Sequence, residues 1–223
     1  VRPTARGRGT ESAFVEAARR VFTEKGYLNA RISDIAAEAG KSTAAFYRYY
    51  ENKEALLEAL VNEYAVELDE QTKVVTYHKD PYKNILQIVE LWWTTYKKYL
   101  PVIIGMFHLS MTDPAIAEQR RQFKANGIRG IERGMAEAKR QGRLRGVDTE
   151  LLASAISSMM EYFSWVWLAG GGEAEIEPPD DDEAIRTLAT VWYRSVYCAE
   201  PQPAPAARRT RTASTERTRG RAR

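Results

Sequence analysis

At 223 residues and 44% hydrophobic content, the chain is long enough for a small module and one larger packed domain. The lone cysteine, Cys198, excludes an internal disulfide and fits a reducing cytoplasm, while no apolar run approaches the roughly 20 residues that span a bilayer and no apolar signal region opens the chain. The net charge of +3 is uneven: residues 1–10 carry three Arg and no acid, residues 199–223 carry seven Arg against two Glu, and residues 11–198 are left at −5.

Residues 1–10 read as a disordered basic arm able to trail along phosphates or enter a minor groove. Residues 11–25 place Phe14, Ala17, Ala18, Val21 and Phe22 on one helical face, and Gly26 stops that helix. In Arg31 to Lys53, Ile32, Ile35, Ala36 and Ala39 form the stripe of a short helix ended by Gly40, and Ser42 is the N-cap of the next. On that second helix Phe46, Tyr49 and Tyr50 fall on the buried side, and Thr43, Ala44, Tyr47 and Arg48 face outward. Small residues at a helix start let it enter a major groove, and the tyrosine hydroxyl and arginine fork beside them can grip phosphate. Asn52 caps a third helix, which is expected to bring Lys53 and a positive helix end towards a phosphate. Within residues 11–60 seven Lys or Arg face eight Asp or Glu, so the positive groups of this module are few and placed rather than massed.

From Lys53 a long pattern runs through Leu56, Leu57, Leu60, Val61, Tyr64 and Leu68, as far as Tyr77 at most, and forms a lever leading out of the module. Pro81 starts a helix through Leu86, Val89, Trp92, Trp93 and Tyr96 that Pro101 is expected to end or kink, and a short apolar piece, Val102 to Met111, follows. Asp113-Pro114 opens a helix to about Gln141, in which Gly127, Gly130 and Gly134 permit close approach or mark a break near Asn126-Gly127. Asp148 caps a helix ended by Gly170-Gly171-Gly172, and Asp180 with Glu183 forms a capping-box-like pair before the last one. Residues 199–223 read as a disordered Arg/Pro/Ala-rich tail. No alternating strand and no internal repeat is found. The class is all-α with about nine helices: a three-helix helix-turn-helix domain over 11–52 and a larger helical domain over 53–198, read below as the ligand-binding and dimerisation part.

Gly26-Tyr27, Asp34-Ile35-Ala36, Ala39-Gly40, Ser42, Phe46-Tyr47 and Asn52-Lys53-Glu54, followed by Leu56-Leu57, resemble the N-terminal domain of TetR-family transcriptional regulators. The resemblance is specific over roughly residues 11–60 and architectural beyond. Two positions depart from it. Ala30 and Arg31 stand where the family usually has a Ser or Thr pair, so the hydroxyl cap before the first motif helix is missing, and Lys41 stands where it usually has an aliphatic residue. The resemblance implies a dimeric, ligand-responsive regulator, a repressor, that reads a palindromic double-stranded DNA operator. Operator contacts are assigned to Thr43, Ala44, Ala45, Tyr47, Arg48 and Tyr49, with Lys41 and Ser42 at the turn, Arg31 and Ser33 on the preceding helix, and Lys53 on the backbone.

The last two helices are apolar over faces too wide for one neighbour, so Leu152, Ile156, Met160, Leu188, Trp192 and Val196 are assigned to a homodimer interface of four helices. An aromatic and Met-rich set, Trp92, Trp93, Tyr96, Phe107, His108, Met111, Met159, Tyr162, Phe163 and Trp165, is assigned to an effector pocket, with His108 as its polar candidate. By resemblance the effector is an apolar or amphipathic small molecule. Two histidines and one cysteine leave no ordinary His/Cys metal site, and HExxH and GxSxG are absent, so no catalytic role, metal, cofactor or membrane partner is assigned. The competing readings are a helical small-molecule carrier that keeps the motif as scaffold, and an activator with the same DNA-binding half.

Overall fold

The computed structural model describes residues 5–73 and 75–198, and every regular element among them is a helix: α1 (Ala5–Asn29), α2 (Ile32–Glu38), α3 (Thr43–Phe46), α4 (Lys53–Lys73), α5 (Pro81–Leu109), α6 (Pro114–Gly134), α7 (Ala136–Arg140), α8 (Thr149–Leu168) and α9 (Asp181–Tyr197). Their starts are set by side-chain caps. Ser42 Oγ accepts from Ala45 N at 3.1 Å, Asn52 Oδ1 from Ala55 N at 2.7 Å, Asp113 Oδ1 from Ala115 N at 2.8 Å, and Asp148 Oδ1 from Leu151 N at 3.0 Å. Asp180 and Glu183 form the reciprocal box at the head of α9, with bonds of 2.8 and 3.1 Å.

Several boundaries differ from the sequence-based expectation. Residues 5–10, read as part of a disordered arm, continue α1 upstream, and Gly26 (φ 73°, ψ 154°) breaks that helix before a last turn. Residues 1–4 and the 199–223 tail lie outside the described residues. The lever α4 stops at Lys73, which still makes it about 30 Å long. Pro101 does not end α5, which runs unbroken for 29 residues. A proline inside a helix costs roughly 3 kcal/mol, but Tyr99, Val102, Ile103 and Met106 beside it are buried, and each such side chain contributes about 1.5–3 kcal/mol. Tertiary burial therefore outweighs the local defect. The break expected near Asn126-Gly127 falls instead at Gly134-Met135, between α6 and α7.

Two hydrophobic cores share α5. The first joins Phe14, Ala18 and Phe22 of α1, Ile35 and Ala36 of α2 and Phe46 of α3 with Leu56, Leu57, Leu60 and Tyr64 of α4 and Tyr96, Tyr99, Val102 and Met106 of α5. The second gathers Ile85, Val89 and Trp93 of α5, Ala153, Ile156 and Met160 of α8 and Leu188, Trp192 and Val196 of α9. The first core passes straight through residue 53, so the motif helices are seated on the lever and on α5 rather than hung from a linker. The approach is closest at Gly105, where an added Cβ would lie 2.9 Å from Tyr27 Cγ and 3.1 Å from Leu57 Cδ1. A side chain there would push α1 and α4 off α5.

Candidate nucleic-acid interface and regulatory core

The turn between α2 and α3 follows from one glycine. Gly40 takes φ 63°, its N–H donates to Ala37 O at 3.0 Å, and Lys41 N–H donates to Ala36 O at 2.9 Å, the doubled bond of a Schellman stop. The chain is thereby turned directly into Ser42 and the head of α3. At the start of α2 the missing hydroxyl is replaced: Asp34 Oδ2 accepts from Arg31 N–H at 3.1 Å, and Asp34 Oδ1 meets Lys25 Nζ at 3.0 Å. Those bonds, from Lys25 first and the Arg31 amide second, hold the Asp34 carboxyl below its ordinary pKa.

α3 is a single turn, locked by Phe46, whose ring meets Phe14 edge-on at 5.4 Å. Around this peg Thr43, Ala44, Tyr47 and Arg48 are exposed, as are Arg31, Ser33, Lys41 and Ser42 beside it. These eight exposed residues include three cations, Arg31, Lys41 and Arg48, and no acid. Two residues assigned to the operator are not among them. Ala45 is buried under α3, and Tyr49 is half-buried with its ring 5.9 Å from Phe14, because both lie on the side of the turn that carries Phe46.

Lys53 is also displaced from its assigned role. Its Nζ donates to Tyr27 O at 2.8 Å and to Ala30 O at 3.1 Å, and it sits 4.4 Å from the centre of the Tyr27 ring. The ammonium thus satisfies carbonyls in the last turn of α1 and just beyond it instead of pointing out to solvent, and burial holds its pKa below the usual lysine value. Tyr27 completes the joint by donating its hydroxyl to Glu54 Oε1 at 3.1 Å. Sequence reasoning missed Tyr27 and Glu54 as partners, since the contact spans 27 positions and leaves no local signal. Asp34 was findable, as an acid three positions after a cap.

The set assigned to an effector pocket divides. Trp92, Tyr96 and Phe107 face the junction of α4, α5, α6 and α8, where Trp92 Nε1 donates to Ser164 Oγ at 3.2 Å. Trp93, Met159 and Phe163 belong to the second core, and Trp93 Nε1 donates to Asp181 Oδ1 at 2.9 Å. His108, Tyr162 and Trp165 are exposed on the sides of their helices away from these cores, and Met111 is exposed in the turn between α5 and α6. A surface cleft of about 310 Å³ lies elsewhere, between the end of α1 and α5, lined by Phe22, Tyr27, Lys97, Pro101 and Ile104 among others.

The residues assigned to the dimer interface are likewise corrected. Ile156, Met160, Leu188, Trp192 and Val196 are buried within one protomer against α5, and Leu152 is half-buried there. The outer face of α8 stays uncovered and is mostly apolar, with Ser158 its one polar member. Leu151, Ala155, Ser158, Tyr162 and Trp165 follow one another at spacings of four, three, four and three and are all exposed, with Tyr162 stacked on Trp165 at 5.8 Å. Both faces of α8 are rich in large side chains, so periodicity did not say which one the protomer keeps.

Residues 14–60 match the model of the family described as bacterial regulatory proteins, tetR family. Over 54 residues the chain is 41% identical to the uncharacterized HTH-type transcriptional regulator YuxN of Bacillus subtilis, a match covering 24% of this chain and 19% of that protein. It is 28% identical over 169 residues to the HTH-type transcriptional regulator TtgR of Pseudomonas putida, covering 71% of this chain and 80% of that one. Among solved structures, a putative transcriptional regulator from Saccharomonospora viridis in complex with choline superposes with a TM-score of 0.69 at 22% identity, over 82% of this chain and 95% of the other. That likeness bears on the fold, and the short motif match bears on the DNA-binding module. Among the described residues no helix is long and apolar enough to cross a membrane. The helix-turn-helix tip is thus the part of the chain that matches the tetR family model, and the helical body behind it shares its fold with transcriptional regulators of known structure.

Proposed function

We propose that this regulator is a cytoplasmic repressor that binds a palindromic operator as a homodimer and is released by an apolar or amphipathic small molecule. The observation that carries the reading is the tip of α3: Thr43, Ala44, Tyr47 and Arg48 stand exposed on a one-turn helix whose other side is pinned by Phe46. A tip of small side chains enters a major groove without clash, and Arg48, Arg31 and Lys41 flank it as backbone grips. The α8 stripe supplies the second copy. Pairing two such stripes covers Leu151, Tyr162 and Trp165 and sets two tips side by side, the arrangement a two-fold operator requires. An effector acts by favouring a tilt of α4 that no longer matches the groove spacing, and it does so only as far as it binds that state more tightly.

The test is selection of bound fragments from genomic DNA, followed by salt titration on the best fragment and on a scrambled control. A palindromic site held at least about a thousandfold more tightly than the control supports the reading. Equal binding to both, lost together as salt rises, overturns it and leaves a helical carrier that keeps the motif as scaffold.

A further inference from the structure

We propose that the chain carries a second DNA-binding face, at the end of the helical body opposite α3, where the basic run from residue 129 to 145 takes the phosphate backbone of a second duplex. The face stands apart from the operator reading above; the choice of DNA as its polyanion rests on that reading.

Charge is spread unevenly over the body. Residues 11–198 sum to −5, yet positions 129 to 145 hold Arg129, Arg133, Lys139, Arg140, Arg143 and Arg145 against Glu132 and Glu137. All six cations are exposed. Among the described residues, the one of them that meets a carboxylate is Arg140, which pairs with Glu137. Arg129 donates to Asn126 Oδ1, Lys139 to Thr149 Oγ1 at 3.4 Å, and Arg143 to Gln141 Oε1 at 3.0 Å and Tyr197 O at 3.1 Å. Those acceptors are neutral and leave the charges uncompensated. In the first half of α6, by contrast, Arg120, Arg121 and Lys124 are each paired with a glutamate.

The backbone fixes the run. α7 stops at Gly142 (φ 74°), where Gly142 N–H donates to Lys139 O at 3.0 Å and Arg143 N–H to Ala138 O at 3.1 Å, the same doubled bond that ends α2. Leu144 is buried with Met135 and Ala138 in the second core, so the turn is anchored between Arg143 and Arg145. A turn already ordered loses little freedom when a partner docks on it.

The chemistry of the run selects the partner. No large apolar side chain is exposed between residues 129 and 145, so nothing there inserts into a bilayer. Five of the six cations are Arg, whose planar fork matches phosphate oxygens. The Tyr197 carbonyl that Arg143 holds lies two positions before residue 199, and residues 199–223 add seven Arg against two Glu. Two basic segments joined at one place cannot neutralise each other, whereas a polyanion serves both.

Distance makes the partner a second duplex. Ile85 of α5 shares the second core with Met135, Ala138 and Leu144, while Gly105 of the same helix packs against Tyr27 and Leu57 of the first. The helix between them is about 30 Å long. DNA is stiff over about 150 bp, so a duplex seated on α3 does not fold around the body to this face. The protein therefore bridges two segments.

The experiment saturates a surface-bound operator fragment with the full chain and then adds a labelled duplex of scrambled sequence. Wild type is expected to capture it, less tightly as salt rises. The triple change Arg129→Gln, Arg133→Gln and Arg145→Gln is expected to weaken capture by at least about tenfold and lower its salt slope by about two to three, with operator affinity and Tm as in wild type. Replacing the arginines of 199–223 by Gln is expected to cost less. No capture by wild type, unchanged capture in the triple variant, operator affinity that falls in parallel with capture, or capture lost only with the tail arginines would each overturn the proposal. So would tighter binding of phosphatidylglycerol vesicles or of single-stranded RNA than of the duplex. Capture between two scrambled duplexes, lost in the triple variant, by a chain with no operator preference would support this face and sink the repressor reading.

Discussion

The outward faces of α3 and α8 are both left uncovered by the protomer, and they could hardly differ more. α3 shows Thr43, Ala44, Tyr47 and Arg48, whereas α8 shows Leu151, Ala155, Tyr162 and Trp165. Inside the protomer the two helices look alike, each anchored by side chains as buried as Phe46 and Met160. The inner face of a helix therefore says only that it is packed, and the outer face says against what. A groove in nucleic acid needs small side chains with a few donors, while a second protein surface rewards large apolar ones that leave water together.

The largest expected effect tests the α8 half of that contrast. Replacing Tyr162 and Trp165 together by Glu should split the dimer and lower operator affinity by about a hundredfold or more, because paired aromatic anchors carry most of such an interface. Sedimentation of the variant at micromolar concentration decides it, and a variant that still runs as a dimer places the interface elsewhere. Next comes the joint beneath the tip. Lys53→Ala should cost about 2 kcal/mol of stability, since it strips a charged donor from the Tyr27 and Ala30 carbonyls, yet leave the salt dependence of DNA binding unchanged. A salt slope lowered by about one with no change in Tm would return Lys53 to the phosphate backbone.

The tip itself should show smaller and separable effects. Arg48→Ala is expected to weaken all sequences by about tenfold and reduce the salt slope by about one, while Thr43→Val should redistribute preference among operator variants by about 1–3 kcal/mol. Indistinguishable profiles from the two changes would contradict the division into grip and reader. The smallest effect is acidic. Asp34, Glu67 and Asp181 have pKa values held below their ordinary range: Asp34 by Lys25 and the Arg31 amide, Glu67 by Lys98 and Tyr99 against the opposing effect of burial, and Asp181 by Lys97 and Trp93. A carboxyl whose folded pKa is depressed stabilises the fold above its unfolded pKa and loses that contribution as pH falls through the folded value. Tm should accordingly be flat from neutral pH to about 5 and fall below about 4, and Glu67→Gln should shallow that fall.

Much of the interface could be read from the chain because its determinants are local. Gly40, Ser42 and Asn52 act within four positions of themselves, and each does in the structure what its residue type demands. Lys53 could not be read this way. Its carbonyl partners lie 23 and 26 positions upstream, so nothing near it in sequence says that the ammonium turns inward. Pro101 failed for a related reason: propensity puts a stop there, and four buried neighbours on α5 override it. Arg120 and Glu161 are 41 positions apart, and their pairing exists only because α6 lies along α8.

By itself the sequence determined an all-helical chain, the position of its turn and caps, and the small, outward tip of α3, since each depends on backbone preferences within one or two turns. The tertiary structure decided which face of α8 remains open, that Lys53 closes a joint rather than reaching out to solvent, and that Arg120 of α6 pairs with Glu161 of α8. Those outcomes depend on which helices are neighbours, and burial over a whole surface, rather than any local preference, settles that.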